Sequence, residues 1–314
     1  MEKASLLLKK IQENIECVMV GKREAIHLML IALLGRGHVL IEDVPGVGKT
    51  MMVSSLAKSL NLSFRRIQFT PDVLPSDITG FSMYNFKKGQ MEFQPGMIMH
   101  QIILADEINR TSPKTQSSLL EVMEEAQVTV DGITYPVPAP FIVLATQNPV
   151  EYIGTFPLPE AQLDRFMLKV TMGYPSRREE MQILSRFQTQ NPLDTLQPVA
   201  SGGDILFLQK TAAEVKTAQA IKEYIAGIVS MTRDHPDLSL GASPRGSLYL
   251  MRASQAYALL QGRNYVIPDD VQKMTVPVLA HRLMLKPEAR LKEQTAERVL
   301  QSILHTLYVP VISS

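Results

Sequence analysis

The sequence predicts an α/β core with a mostly parallel sheet between helices, followed by a small all-helical domain. Short apolar runs bounded by turn residues recur along the first part of the chain, with helical patterns between several of them. These strand signals stop after about Pro175, and the remainder has helical periodicity. We therefore expect a core at residues 1–175 and a linker with a helical lid at residues 176–314.

The predicted elements follow from this alternation. The predicted core strands are residues 38–41, 64–69, 101–105 and 141–145. The predicted helices of the second part are residues 212–233, 244–261, 269–285 and 295–307. At the N-terminus, Leu7, Ile11, Ile15 and Val18 recur at helical spacing and predict an amphipathic helix, not a signal peptide.

Composition excludes several classes of protein. The chain has 314 residues and a formal net charge of +1, so no global field attracts nucleic acid or an anionic membrane. Cys17 is the single cysteine, which excludes an internal disulfide framework and indicates a reducing compartment. The longest apolar run, AIHLMLIALL, is too short to span a bilayer. We expect a soluble cytoplasmic protein without membrane insertion.

The first predicted strand ends in EDVPGVGKT, which has the form of a phosphate-binding loop. Gly46 and Gly48 permit positive φ, so that successive backbone N–H groups curl around an anion at a helix N-terminus. Lys49 is predicted to reach the β- and γ-phosphates, and Thr50 to bind Mg²⁺. The alternative is a glycine-rich turn with an incidental lysine.

Asp43 stands where the phosphate-loop signature has its first glycine. Aspartate tolerates turns and left-handed backbone geometry, so the substitution is compatible with the loop. We expect the carboxylate to point away from the phosphates and to do no more than shape the turn.

The segment IILADE ends a strand with two adjacent acids, the form of a Walker B element. Asp106 is predicted to hold Mg²⁺, and Glu107 to orient and deprotonate the attacking water. Taken alone, the pair is more typical of a helix N-cap followed by a first-turn acid. A preceding phosphate loop favours the catalytic role.

Six motifs in order, EDVPGVGKT, LADEINR, ATQNP, GTFPLPEAQLDRF, GASPRG and IPDDV…VPVLAHRL, resemble the MoxR family of AAA+ ATPases. An aspartate commonly occupies the first phosphate-loop position in that family. The resemblance implies that Asn148 is sensor 1, although alone it is more typical of a turn before a proline. It also implies an adenine site at Val20 and Gly21. The full set of expected cofactor-binding residues is Val20, Gly21, Pro45, Gly46, Val47, Gly48, Lys49, Thr50, Met51 and Asp106.

The resemblance assigns roles to two arginines. Arg165 stands where similar proteins place an arginine finger for a neighbouring subunit; the alternative is a salt bridge to Asp164 or Glu160. Ser243 and Pro244 predict a helix start, which places Arg245 in a first turn where the helix dipole disfavours a cation. An anion is therefore expected nearby, and the resemblance implies a nucleotide phosphate and the role of sensor 2. The alternative is a plain exposed arginine.

Two segments predict hairpin insertions, near residues 80–96 and 127–137, and the second turns at Asp131-Gly132. The same branch of AAA+ proteins carries hairpins that face the pore or upper surface of a ring. The side chains that could contact a substrate there, or instead pack on their own domain, are Met83, Tyr84, Phe86, Ile133 and Tyr135.

The resemblance implies an ATP-hydrolysing hexameric ring motor, with ATP and Mg²⁺, that remodels or matures a partner protein. Its family partners carry a von Willebrand factor A domain and often serve in metal or cofactor insertion. One alternative is a nucleotide-controlled scaffold with negligible turnover, which Glu107 and Asn148 disfavour. A nucleic-acid helicase is also disfavoured. It would need a basic hairpin tip, and Lys87 and Lys88 are the only such feature in the sequence.

Overall fold

The computed structural model describes residues 1–44, 46–148 and 154–310. Five parallel strands form a sheet between helices, and a mainly helical part follows, which confirms the predicted fold class. The strands are β1 Val39–Glu42, β2 Phe64–Gln68, β3 Gly80–Asn85, β4 Gln90–Pro95, β5 Ile102–Asp106, β6 Gln127–Val130, β7 Ile133–Pro136, β8 Ile142–Gln147, β9 Leu168–Val170, β10 Leu238–Leu240 and β11 Met284–Leu285.

Helices make up most of the remaining structure. They are α1 Glu2–Glu16, α2 Arg23–Leu34, α3 Lys49–Ser59, α4 Pro75–Thr79, α5 Pro113–Glu125, α6 Glu160–Leu163, α7 Arg177–Phe187, α8 Pro192–Thr195, α9 Gly202–Ala213, α10 Gln219–Arg233, α11 Pro244–Leu260, α12 Pro268–Leu279, α13 Pro287–Leu291 and α14 Ala296–Thr306. Two 3₁₀ turns cover Ile108–Arg110 and Ala280–Arg282. We call the part from α9 to α14 the lid.

The central sheet has the order β2-β5-β8-β1-β9, and every pairing in it is parallel. Its strands are mostly buried apolar runs, as expected for a sheet with helices on both faces. The four predicted strands are confirmed to within two residues at each end. The fifth strand, β9, was not predicted, because its three residues are too few to show a pattern.

The parallel arrangement collects the candidate site at one edge of the sheet. The phosphate loop follows β1, Glu107 follows β5, and Asn148 follows β8. These three strands are adjacent, and their carboxyl ends meet at the same edge. The fold therefore brings together motifs that are about 40 to 60 residues apart in the chain.

The helix predicted at the N-terminus forms as α1. Ile11 and Ile15 of α1 are fully buried, while Val18 is buried just after the helix ends. The apolar run that follows forms α2, whose residues are mostly buried in the core. No helix in the described part of the chain is long and apolar enough to cross a membrane.

Both predicted hairpins form, as the antiparallel pairs β3–β4 and β6–β7. Asp131 and Gly132 have φ of 51° and 78°, the left-handed geometry that a two-residue hairpin turn requires. The hairpins contact each other through Phe93 and Tyr135, whose rings stack with centroids 3.9 Å apart.

The expectation that strands end after Pro175 is wrong in detail, because β10 and β11 form a short antiparallel ladder in the lid. This ladder also ends the helix predicted at residues 269–285. In the structure α12 stops at Leu279, and the chain passes through a 3₁₀ turn before Met284 pairs with Leu240.

The helix predicted at residues 212–233 is likewise interrupted: its first two residues end α9, and α10 begins at Gln219. Between α9 and α10, the backbone N–H of Lys216 donates to the carbonyl of Asn264 at 2.9 Å, and its carbonyl accepts from Val266 at 2.9 Å. This pairing with a distant segment replaces the helical hydrogen bonds, so periodicity alone does not reveal the break.

Candidate nucleotide site

The phosphate loop has the predicted left-handed glycines. Gly46 and Gly48 have φ of 83° and 92°, and Gly48 is the N-cap of α3. Lys49 and Thr50 occupy the first turn of that helix, where backbone N–H groups lack helical partners and can receive an anion. Pro45 lies outside the described residues.

Asp43 does more than shape the turn, so that expectation is wrong. Its carboxylate is buried and points away from the cleft, as predicted, but it accepts hydrogen bonds from three backbone N–H groups. One is Val44 at 2.9 Å, and the others belong to Met172 and Gly173, after β9. Asp43 is also absent from the residues with positive φ, so left-handed tolerance is not its role.

A cleft of about 450 Å³ lies beside the loop. Eight predicted site residues line it: Gly46, Gly48, Lys49, Thr50, Met51, Asp106, Glu107 and Asn148. Lys49 Nζ donates to the carbonyl of Asp43 at 2.7 Å. Burial lowers the pKa of Lys49, although the charges of Asp43, Asp106 and Glu107 oppose this shift.

Thr146 connects the two acids of the Walker B element. Its hydroxyl donates to Asp106 Oδ1 at 2.6 Å and accepts from the backbone N–H of Glu107 at 2.9 Å. Glu107 itself has φ of 58° and ψ of 48°, a conformation that costs a non-glycine residue about 1–3 kcal/mol. The turn aims the Glu107 side chain into the cleft beyond the end of β5.

Three cleft residues were not predicted from the sequence: Arg66, Gln68 and Thr146. Arg66 Nη2 lies 2.6 Å from Asp106 Oδ2, and Gln68 Nε2 donates to Glu107 Oε2 at 2.8 Å. Both residues belong to β2, which pairs with β5. Polar side chains in a strand beside the acidic one were the available signal for them.

The donor set fits Mg²⁺. Thr50 and Asp106 place a hydroxyl and a carboxylate in the same cleft, and oxygen ligands are those that Mg²⁺ prefers. Among the described residues, no group of three or more His, Cys, Asp or Glu side chains forms a separate metal site. An ion at Thr50 and Asp106 would have one or two protein oxygens as ligands, with phosphates and water completing its shell.

A second, more apolar cleft of about 200 Å³ shares Gly46, Gly48 and Met51 with the first. Val20, one of the two residues expected at the adenine site, lines it together with Val47, which was predicted to bind the cofactor. Ile183 and Phe187 of α7 also line it and were not predicted. Gly21 does not line the cleft. It has φ of 69°, and a Cβ there would overlap the side chain of Glu179 in α7.

Arg165 and Arg245 do not line either cleft. Both contact one carboxylate, that of Glu124 at the end of α5: Arg165 Nη2 lies 3.4 Å from Oε2, and Arg245 bonds to Oε1. The salt bridge expected as the alternative for Arg165 therefore exists, but with Glu124 in place of Asp164 or Glu160. Ser243 is confirmed as the N-cap before Arg245, and Glu124 supplies the anion expected there.

The hairpin side chains divide into two groups. Met83, Tyr84, Phe86 and Ile133 are exposed, and Phe86 is 89% exposed. Tyr135 instead stacks on Phe93, so the alternative of packing on its own domain holds for this residue.

Comparison with known proteins gives consistent matches. Residues 38–168 match the family described as "ATPase family associated with various cellular activities (AAA)", and residues 230–303 match the one described as "AAA lid domain". The uncharacterized protein YeaC of Bacillus subtilis is 58% identical over 97% of this chain and 95% of its own. The chaperone MoxR1 of Mycobacterium tuberculosis is 41% identical over 96% of this chain and 82% of its own.

A solved crystal structure is also similar. It is a Cytophaga hutchinsonii protein provisionally named an ATPase, with a TM-score of 0.92 and 38% identity. The match covers 99% of this chain and 98% of the other.

Proposed function

Since the chain belongs to the MoxR family of AAA+ ATPases, we propose that it hydrolyses ATP to ADP and phosphate. The active form is a homo-oligomeric ring, hexameric in our proposal, which works in the cytoplasm. The ring uses hydrolysis to remodel or mature a partner protein.

One observation carries the proposal: Lys49, Thr50, Asp106, Glu107 and Asn148 line a single cleft. The loop N–H groups and Lys49 bind the phosphates, and Val20 and Val47 pack against adenine. Thr50 and Asp106 would hold Mg²⁺, which would supply positive charge beside the phosphate oxygens. Glu107 accepts a proton from the attacking water, and Asn148 orients that water against the γ-phosphate.

The positions of two arginines support our proposal that a second chain completes the site. Arg165 and Arg245 are 31% and 33% exposed and lie outside the cleft of their own chain. We assign Arg165 to the nucleotide of the neighbouring subunit, where its charge stabilises the transferring phosphoryl group. Arg245 adds a second cation from the lid, as sensor 2.

The partner is proposed on two grounds. The exposed apolar side chains Met83, Tyr84, Phe86 and Ile133 extend along hairpins beyond the core and offer contacts to another protein. The relative MoxR1 is named a chaperone. By family resemblance, the partner carries a von Willebrand factor A domain, and metal or cofactor insertion is the process served.

The alternatives find less support. A scaffold without turnover does not require a proton acceptor and a water-orienting amide in one cleft, yet Glu107 and Asn148 line the same cleft. A helicase needs free positive charge at the hairpin tip, but Lys88 Nζ lies 2.7 Å from Glu92 Oε1, which neutralises one of the two lysines there.

Steady-state hydrolysis of Mg-ATP tests the proposal. We expect turnover by the wild type, and a kcat lower by about 10²–10⁴ in Glu107→Gln, since an amide cannot accept the proton. ATP affinity should be unchanged in that variant. Glu121→Gln, an exposed position on α5, is the matched control. Wild-type turnover in Glu107→Gln would favour the scaffold.

A further inference from the structure

The segment that carries Arg165 is held by the lid of the same chain. The carbonyl of Asp164 accepts from Arg282 Nη2 at 3.2 Å, and that of Arg165 accepts from the Tyr249 hydroxyl at 3.3 Å. The carbonyl of Phe166 accepts from Arg282 and lies 3.0 Å from His281 Nε2. Three successive carbonyls of the core therefore bind side chains of the lid.

The Asp164 side chain adds to this connection. Its Oδ1 accepts from Arg282 Nε at 2.9 Å, and its Oδ2 accepts from the hydroxyl of Ser243 at 2.9 Å. Arg282 is only 1% exposed and lies against the Tyr249 ring, 5.3 Å from its centroid. The buried charge of Arg282 depends on these partners, because removing one member of a buried ion pair strongly destabilises the fold.

The side chain of Arg165 is fixed at its other end. Glu124 holds Arg165 together with Arg245, the second cation from the lid. Both the backbone and the guanidinium of Arg165 therefore have positions set by contacts that involve lid residues. None of these lid contacts touches the cleft that holds Lys49 and Glu107.

We propose that Arg282 and Tyr249 are positioning residues through which the lid of each subunit sets the place of the Arg165 that this subunit presents to its neighbour. A displacement of the lid in one subunit then alters hydrolysis in the next. This inference rests on the proposed function of Arg165. Hydrolysis depends on the place of Arg165 because a misplacement of about 1 Å in a group that contacts the reacting phosphate can lower the rate about 10²-fold.

Two variants test the inference. Arg282→Lys keeps the charge beside Asp164 but cannot reach both flanking carbonyls, and Tyr249→Phe removes only the hydroxyl that binds the carbonyl of Arg165. We expect kcat to fall at least about tenfold in Arg282→Lys and a few-fold in Tyr249→Phe. ATP affinity and ring mass should be unchanged, because each variant's own cleft is intact.

Arg263→Lys is the matched control. Arg263 pairs with the buried Asp270 and donates to the carbonyl of Tyr265, and both partners lie within the lid. It therefore reports the effect of weakening a lid ion pair without touching residues 164–166. We expect a lower melting temperature in this variant and wild-type kcat.

Mixed rings separate positioning from general damage. Arg282→Lys subunits mixed with Glu107→Gln subunits should regain activity, because an intact Glu107 in the first then faces a well-placed Arg165 in the second. Wild-type kcat in both Arg282→Lys and Tyr249→Phe would overturn the inference. So would a mixture that stays inactive while the corresponding Arg165→Ala mixture recovers. If Arg165→Ala alone is fully active, the two-chain site of the proposed function is wrong. It is also wrong if the Arg165→Ala mixture fails and doping of wild-type rings with each single variant excludes a need for consecutive intact subunits.

Discussion

Oδ2 of Asp43 accepts a 2.8 Å hydrogen bond from the backbone N–H of Gly173, a residue 130 positions further along the chain. The same segment is held from the other side, because the buried Lys22 donates to the carbonyls of Met172 and Gly173, each at 2.9 Å. The start of the phosphate loop, the chain after β9 and the segment before α2 are thereby joined. Asp43 is a buried anchor of the nucleotide site.

Replacing Asp43 should therefore lower both stability and nucleotide affinity. Asp43→Gly removes the acceptor of three backbone N–H groups, and each hydrogen bond to a charged group contributes roughly 1.5–3 kcal/mol. We expect a clear drop in melting temperature and weaker binding of a fluorescent ATP analogue. The exposed Asp72 gives the control variant Asp72→Asn. Unchanged stability in Asp43→Gly would show that the loop does not depend on this anchor.

Lys49→Ala should prevent ATP binding. The ammonium lines the cleft beside Asp106 and Glu107, and without it two carboxylates face the phosphates with no cation of the loop between them. We expect affinity to fall by at least about 10²-fold, or about 2.7 kcal/mol. Titration of the fluorescent analogue measures this. Lys58→Ala alters a lysine on the same helix whose partners are carbonyls of residues 193 and 194, away from the cleft, and should bind normally. Tight binding by Lys49→Ala would exclude the phosphate role.

Mixing two inactive variants tests whether the site spans two chains. Arg165→Ala should bind ATP but lose about 10³–10⁵ in kcat, as in other arginine-finger systems. Mixed with Glu107→Gln, it should recover partial activity, since an intact Glu107 meets an intact Arg165 across an interface. Wild-type specific activity should also rise with protein concentration as rings form.

The control for that experiment is Arg290→Ala, an exposed arginine of the lid, which should keep full activity. A mixture that stays inactive although mass measurements confirm mixed rings has two explanations. Either Arg165 serves only its contact with Glu124, or hydrolysis needs consecutive intact subunits. Doping wild-type rings separately with each variant distinguishes these explanations.

His38 should make stability depend on pH. Its buried ring accepts from the N–H of Val143 at 3.0 Å and donates to the carbonyl of Met123 at 2.8 Å, and burial lowers its pKa from 6.5 to about 4. Between these values the unfolded chain binds a proton that the folded chain does not. Stability from this group is therefore lost as pH falls from 6.5 towards 4, by up to about 3 kcal/mol.

Urea unfolding of the wild type and of His38→Gln at about pH 7.5 and about pH 4.5 measures this effect. The variant should be less stable at the higher pH, and the gap should narrow at the lower one, because glutamine does not titrate. His305→Gln, at an exposed position of α14, is the matched control. A pH-independent gap for His38→Gln would mean that the ring is not held neutral.

Local signals were enough for much of the fold and for the centre of the site. The strands before the phosphate loop and before Glu107 are apolar runs that end in turn residues, and the left-handed Gly46 and Gly48 follow from the chemistry of glycine. Parallel strands then align their carboxyl ends, so the meeting of Lys49, Glu107 and Asn148 was predictable. Regular hydrogen bonding within a segment depends on nearby residues, so the sequence pattern can predict it.

Contacts between distant segments were decided only by the tertiary structure. Gln68 reaches Glu107 because β2 pairs with β5, and Glu124 joins Arg165 to Arg245 because α5 ends beside the lid. The split of the predicted helix at residue 216 likewise depends on a backbone partner at Asn264. Periodicity indicates which face of an element is buried, but not what packs against that face. Ion pairs and backbone hydrogen bonds between distant segments decide which residues pack there.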